Sequence, residues 1–207
     1  MDIEYKGGNC VVISTKQATI VVDPKISPLG LKDVATKDAV VIATQSDFAV
    51  KTDEMTVDQP GEYEIKNISI VGVPARRMIE QGDEKNATMY RIVVGDVAIA
   101  IIGHVSAPLD ELQLEKLGVI DIAIVPVGGS GYTLDAHQAI GVVRQLDPKM
   151  IIPTHYADSA INYEVPQMEL EPFLKELSAT HEAVSKLKIK NGILPDVLTV
   201  TEIQRTA

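Results

Sequence analysis

The side chains able to do chemistry in this chain cluster in short turns that follow strongly apolar runs. Gln45, Ser46 and Asp47 follow residues 40–43, His104 and Ser106 follow residues 97–102, and His155 follows residues 150–153. Ligands of α/β proteins sit at such strand ends, so these turns are expected to share a cleft. An imidazole titrates near pH 6.5 and also ligates metals, which leaves His155 three roles: acid–base work beside Asp47, ligand or metal binding, or a hydrogen-bonded structural position. Ser46 and Ser106 are nucleophiles only if His155 or His104 stands within hydrogen-bond reach. Arg76-Arg77 can fork a phosphate or carboxylate, or pair on the surface with Glu80. Gly128-Gly129-Ser130-Gly131 can offer backbone N–H groups to an anion or simply turn the chain. The Asp23 carboxylate, in the Asp23-Pro24 turn, can accept turn amide protons.

The elements that must position these groups change character along the chain. Residues 11–13, 19–22, 40–43, 68–73, 88–94 and 97–102 are short runs rich in Val and Ile, separated by turn residues such as Gly7-Gly8-Asn9, Gly82-Asp83 and Gly95-Asp96. These predict strands, with a hairpin at Gly95-Asp96. Beyond Pro108 the period becomes helical over 109–117, over 132–146 with Thr133 as cap, and over 167–177. Buried strands are expected at 120–127 and 150–153, and a last pair at 187–189 and 197–203. His137 falls on a helix and His181 in a polar segment, and both are expected to be solvated. No repeat or linker interrupts residues 1–207, which predicts a single domain.

The chain has 207 residues, a net charge of −10, four His and one Cys. A single Cys10 forms neither an internal disulfide nor a thiolate zinc site. The longest apolar runs fall far short of the ~18–20 residues that span a bilayer. The start Met1-Asp2-Ile3-Glu4 lacks the regions of a signal peptide, so the expected location is cytoplasmic. A strongly acidic chain repels phosphate backbones and anionic lipids, so neither nucleic acid nor membrane is an expected partner.

Tyr5-Lys6-Gly7-Gly8-Asn9-Cys10, Thr19-Ile20-Val21-Val22-Asp23-Pro24, Pro60-Gly61-Glu62-Tyr63-Glu64-Ile65, Asp121-Ile122-Ala123-Ile124-Val125-Pro126-Val127-Gly128-Gly129 and Ile151-Ile152-Pro153-Thr154-His155-Tyr156 resemble the metallo-β-lactamase superfamily. Its lactonase-like, Zn-dependent hydrolase branch is the most similar. The resemblance covers nearly the whole chain. It implies an α/β fold, a four-layer αββα sandwich of two mixed β-sheets flanked by helices, with a dinuclear metal site at the strand ends.

The ligands of that site are mostly replaced here. On the loop after 40–43, the family's His-x-His-x-Asp-His positions fall on Gln45, Asp47, Ala49 and Val50, and a one-residue shift substitutes Thr44, Ser46, Phe48 and Ala49. The next His position, after Gly72-Val73-Pro74, meets Arg76, Arg77 and Met78, and the bridging Asp expected near His104 meets Ser106 or Ala107. His155 alone keeps its ligand type, and the family's full set of five His exceeds the four in the chain. Catalytic zinc takes about three protein ligands. Ala49 and Val50 offer no lone pair, and the Arg77 charge within a few Å of a divalent cation costs on the order of several kcal/mol.

The expectation is therefore a metallo-β-lactamase fold that has lost its metal centre. It would serve a ligand-binding or structural role, with no resident cofactor. Arg77, His104, Asp23, Gln45, Gly128 and Gly129 are the ligand-binding candidates, and His155 and Asp47 the catalytic ones. A small anionic ligand is the expected partner, and self-association into a homo-oligomer stays open. The alternative is a hydrolase of small phosphorylated or cyclic esters (lactones, phosphodiesters). It would hold zinc or another divalent metal on His155, Asp47 and His104, or use a metal-free His155–Asp47 pair.

Overall fold

Period-two burial and Val/Ile-rich runs build two sheets that share one interior. The structure, a computed structural model, describes residues 1–50, 55–81 and 84–206. The strands of its first half are β1 (Asp2–Gly7), β2 (Cys10–Ser14), β3 (Thr19–Val22), β4 (Val40–Ile42), β5 (Thr56–Val57), β6 (Gly61–Ile65), β7 (Ile68–Gln81), β8 (Glu84–Val94) and β9 (Val97–Ile101). Then follow α1 (Glu111–Leu117), β10 (Ile122–Pro126), α2 (Ala136–Leu146), β11 (Met150–Thr154), α3 (Glu171–Leu177), β12 (Thr180–Val184), β13 (Leu187–Lys188) and β14 (Thr199–Ile203).

One sheet runs β13-β1-β2-β3-β4-β5 and the other β12-β14-β11-β10-β9-β8-β7-β6. Both are mixed. β3, β4 and β5 are parallel beside antiparallel β1–β3, and β9, β10, β11 and β14 are parallel beside antiparallel β6–β9. Ile3, Ile13, Ile20, Ile42, Ile92, Ile99 and Ile152 meet between the sheets, each at 0% exposure. Burying such a side chain contributes roughly 1.5–3 kcal/mol, which explains why the inward faces are β-branched almost throughout.

On the outside of the larger sheet, Leu117, Ile140, Val143 and Phe173 from the three helices cover Ala100, Ala123, Val125 and Ile151. The outer face of the smaller sheet, Cys10 and Val21, is covered by Ile26, Ala39, Leu29, Leu31 and Val34. That covering segment holds a single 3-10 turn, Ser27–Leu29, so this outer layer of the sandwich is irregular.

The helices begin later than their periodicity predicts, and in the first two a side-chain cap sets the start. Asp110 caps α1 and Asp135 caps α2, each in a capping box with Gln113 or Gln138. Thr133 does not cap α2; its Oγ1 accepts the Gly129 N–H at 2.8 Å. α3 opens at Glu171, with Pro172 in its first turn. The hairpin at Gly95-Asp96 is present, pairing Val94 with Val97. The turn at Gly82-Asp83 lies outside the described residues. Among those described, no helix is long and apolar enough to cross a membrane.

Candidate functional site

The parallel strands β3, β4, β9, β10 and β11 end on one side of the sandwich, and their following turns converge there. Asp23 ends β3 and is 3% exposed. Its Oδ1 accepts the Thr44 N–H and its Oδ2 the Thr44 hydroxyl, both at 2.7 Å. Burial pushes its carboxyl up to about 7, against the lowering effect of those two hydrogen bonds. Asp23 thereby ties the end of β3 to the turn after β4.

His155 is 2% exposed and sits at φ +55°, a left-handed conformation uncommon for a side-chain-bearing residue. Its backbone N–H donates to Gly8 O at 3.0 Å and to Tyr5 Oη at 3.3 Å, and the Tyr5 hydroxyl itself donates to Gly8 O at 3.1 Å. These bonds hold the strained turn. The ring Nδ1 lies 3.2 Å from Gln167 Oε1, an oxygen that only accepts, so Nδ1 carries the proton and Nε2 keeps its lone pair. Burial lowers this imidazole to about 4, with the Gln167 bond opposing the shift.

His104 stands against it, ring centroids 4.7 Å apart at 84°. At the end of β9, His104 is thus the residue that faces His155. Ser106 instead donates its hydroxyl to Arg77 O at 3.0 Å. Burial, then unfavourable electrostatics from the neighbouring His155 site and the Arg77 charge, holds His104 well below the usual imidazole range, so both rings are neutral at pH 7. Among the described residues, His104 Nε2 is buried without a hydrogen-bond partner, as is Asn9 Nδ2. Each such atom costs about 1–3 kcal/mol.

Aromatic rings complete the surroundings. Phe48 and Tyr132 meet His104 edge-on at 5.2 and 5.0 Å, and Tyr163 lies 4.7 Å from His155. Two adjoining clefts of about 170 Å³ open here. One is lined by Asn9, Asp23, Asp47, Phe48, His104, Tyr132 and His155, and the other by Gln45, Asp47, Phe48, Arg77, His104, Tyr132 and Glu164. Arg77 is 5% exposed; its Nε donates to Asn86 O at 2.8 Å and its Nη1 lies 4.0 Å from Asp47 Oδ2.

The sequence candidates Asp23, Gln45, Asp47, Arg77, His104 and His155 are therefore brought together. The pairings differ from those expected. Among the described residues no hydrogen bond joins Asp47 to His155; Asp47 faces Arg77, and His155 faces Gln167. Gly128 backs the site closely: a Cβ there would strike the His155 carbonyl oxygen and Gln167. The Gly129 N–H is taken by Thr133 Oγ1 and Leu134 O within its own turn. His137 and His181 lie away from the cleft, beside Glu176 and Glu202. Among the described residues, no three His, Cys, Asp or Glu side chains gather as a metal site.

Asn9, Phe48, Tyr132, Tyr163, Glu164 and Gln167 were not expected in the site. The chain has only two Phe and six Tyr. That scarcity, with Phe48 and Tyr132 in turns already singled out, was the available signal.

Residues 2–155 match the family model of the beta-lactamase superfamily domain. A UPF0173 metal-dependent hydrolase of Pyrococcus horikoshii is 34% identical over 99 residues, covering 46% of this chain and 44% of that protein. Another, of Thermococcus onnurineus, is 32% identical over 130 residues, covering 61% and 56%. The matches thus span about half the length of these relatives. A crystal structure from Thermotoga maritima, described as a candidate Zn-dependent hydrolase of the metallo-β-lactamase superfamily, superposes with a TM-score of 0.77 at 26% identity. The superposition covers 98% of this chain and 99% of that one. A metallo hydrolase of Ignicoccus hospitalis, at 16% identity and TM-score 0.63 over 86% and 90% of the two chains, shares the fold.

Proposed function

The chain belongs to the metallo-β-lactamase superfamily, and from that premise we propose that it is a member whose metal centre has been replaced by a cleft binding a small molecule with an anionic group. The donor chemistry of the strand ends carries this reading. His104 and His155 are neutral imidazoles packed edge to face, Asp23 is committed to Thr44, and Asp47 leans toward a buried guanidinium. A two-metal centre needs a bridging carboxylate and more ligands than one zinc, which itself takes about three. These residues do not fit that group, and no catalytic step is derived through it. Arg77 instead places on the cleft wall a planar guanidinium, a group suited to a carboxylate or phosphate.

The names of the relatives favour a second reading, a metal-dependent hydrolase of small phosphorylated or cyclic esters working on a remodelled site. One experiment separates the two. Phosphodiester, lactone and thioester substrates are offered to the protein and to His155→Ala, with and without added zinc, manganese or iron. The binding reading expects equal background rates in both proteins. Metal-dependent turnover lost in His155→Ala establishes the hydrolase instead.

A further inference from the structure

A cleft of about 470 Å³ lies apart from the strand ends, and of its lining residues only Ile26 also lines the clefts described there. Ile26, Leu31, Val34 and Ala35 give it an apolar side, and Lys6, Lys32 and Arg205 a basic one. One carboxylate, Asp33, stands among them. In a chain of net charge −10 this is a local reversal of sign. The basic side is assembled from both ends of the chain. Lys6 projects from β1, where its Nζ donates to Thr206 Oγ1 at 2.9 Å and lies 3.1 Å from Glu4 Oε2. Arg205 follows β14, and its Nε donates to Asp158 Oδ2 at 2.6 Å. Gly7, at φ +114°, lets the two walls close on β1: a Cβ there would stand 2.7 Å from Leu31 Cδ1 and 3.0 Å from Arg205 Cδ.

The carboxylates of this region are engaged. Asp33 accepts the Ser27 N–H at 2.6 Å and its hydroxyl at 3.1 Å. Glu4 is shared between Lys6 and Lys186, and Asp158 between Arg205 and the Ala160 N–H. The cations are not used up in the same way. Among the described residues Lys32 has no hydrogen bond or ion pair, and Arg205 engages one of the five donors a guanidinium carries. The charge left to meet a ligand is therefore positive, beside an apolar surface. We propose that this cleft is a second binding site, for an organic monocarboxylate with an apolar body, its carboxylate at Arg205 and Lys32 and its body against Ile26, Leu31 and Val34. The terminal nitrogens of a guanidinium form a fork that matches the two oxygens of a carboxylate. Asp33 on the same wall disfavours a second negative charge, which selects a monoanion. The volume falls within the ~300–1,000 Å³ of small-molecule sites, in which a few convergent polar groups orient a ligand held by apolar contact. The site does not depend on the reading of the strand-end cleft.

Calorimetric titration of the whole chain with octanoate, acetate and octylamine tests this. Octanoate should bind at least about tenfold more tightly than acetate, which lacks the body, and than octylamine, which reverses the charge. Lys32→Gln and Arg205→Gln should each weaken octanoate binding several-fold. Lys25→Gln, in the strand-end cleft, should leave it unchanged. Arg205→Gln also breaks the pair with Asp158, so its melting temperature is compared with that of the wild type. Lys32 is exposed, and its variant decides the matter if Arg205→Gln fails to fold. Acetate or octylamine binding as tightly as octanoate overturns the proposal. So does octanoate binding that is indifferent to Lys32→Gln, or that is lost in Lys25→Gln, which would place the ligand at the strand ends. Absence of octanoate binding overturns it as well.

Discussion

Replacing Asp23 by Asn should flatten a pH dependence of stability that the wild-type site builds in. The Asp23 carboxyl rises from 3.8 to about 7 on folding because burial outweighs its two bonds from Thr44. Between those values the folded chain binds a proton that the unfolded chain has released, so stability falls as pH rises through this window and levels off above about 7. At about 1.36 kcal/mol per unit, the whole window amounts to about 4 kcal/mol, of which about 2–3 falls between pH 5 and pH 8.5. This is a large share of the ~5–15 kcal/mol that holds a domain folded. In Asp23→Asn the amide oxygen still accepts the Thr44 N–H, and the amide nitrogen can donate to Thr44 Oγ1 with that hydroxyl turned. His104 and His155 titrate in the opposite sense, losing stability as pH falls below about 6.5, but they are common to both proteins and cancel in the difference. Urea denaturation of both proteins from pH 5 to pH 8.5 gives that difference directly. The wild type should lose about 2–3 kcal/mol relative to the variant as pH rises. A gap that stays constant with pH refutes the reasoning.

Three further substitutions probe the same turns. His104→Phe removes the buried, unpartnered Nε2 while keeping a ring between Phe48 and Tyr132, and should raise unfolding free energy by about 1 kcal/mol. A lower unfolding free energy in a denaturant titration would show that the nitrogen has a partner after all. Gly128→Ala forces a Cβ against the His155 carbonyl oxygen and should cost about 1–3 kcal/mol, measured as a fall in melting temperature; no change would mean the turn yields freely. Tyr5→Phe deletes the hydroxyl that donates to Gly8 O and accepts from His155 N, and should cost about 1 kcal/mol. It should also speed amide exchange at His155, and unchanged exchange would assign that restraint to Gly8 alone.

The buried parallel strands were legible in the sequence because continuous Val/Ile runs bounded by turns have few other readings. The alternating β1 went unread: Ile3 and Tyr5 are buried, but polar neighbours make the segment look like an ordinary terminus. β12 is an exposed edge strand whose residues carry no apolar period, so only its pairing with β14 defines it. In the site, residue type and strand-end position were enough to collect Asp23, Gln45, Asp47, Arg77, His104 and His155. They were not enough to pair them, because the orientation of His155 depends on Gln167, twelve residues away, and on the Gly8 turn, which only the fold brings near. The Gly-rich turn misled for a related reason. Its amide at Gly129 is available to an anion by sequence, yet Thr133 Oγ1 occupies it.

The replacement of the family's metal centre is tested most directly by elemental analysis of the whole protein, purified without chelators and then dialysed against zinc, manganese or iron. The donors at His104, His155, Asp23 and Asp47 predict well below one equivalent of any of these metals per chain. One or two stoichiometric ions, lost on His155→Ala, would contradict the account.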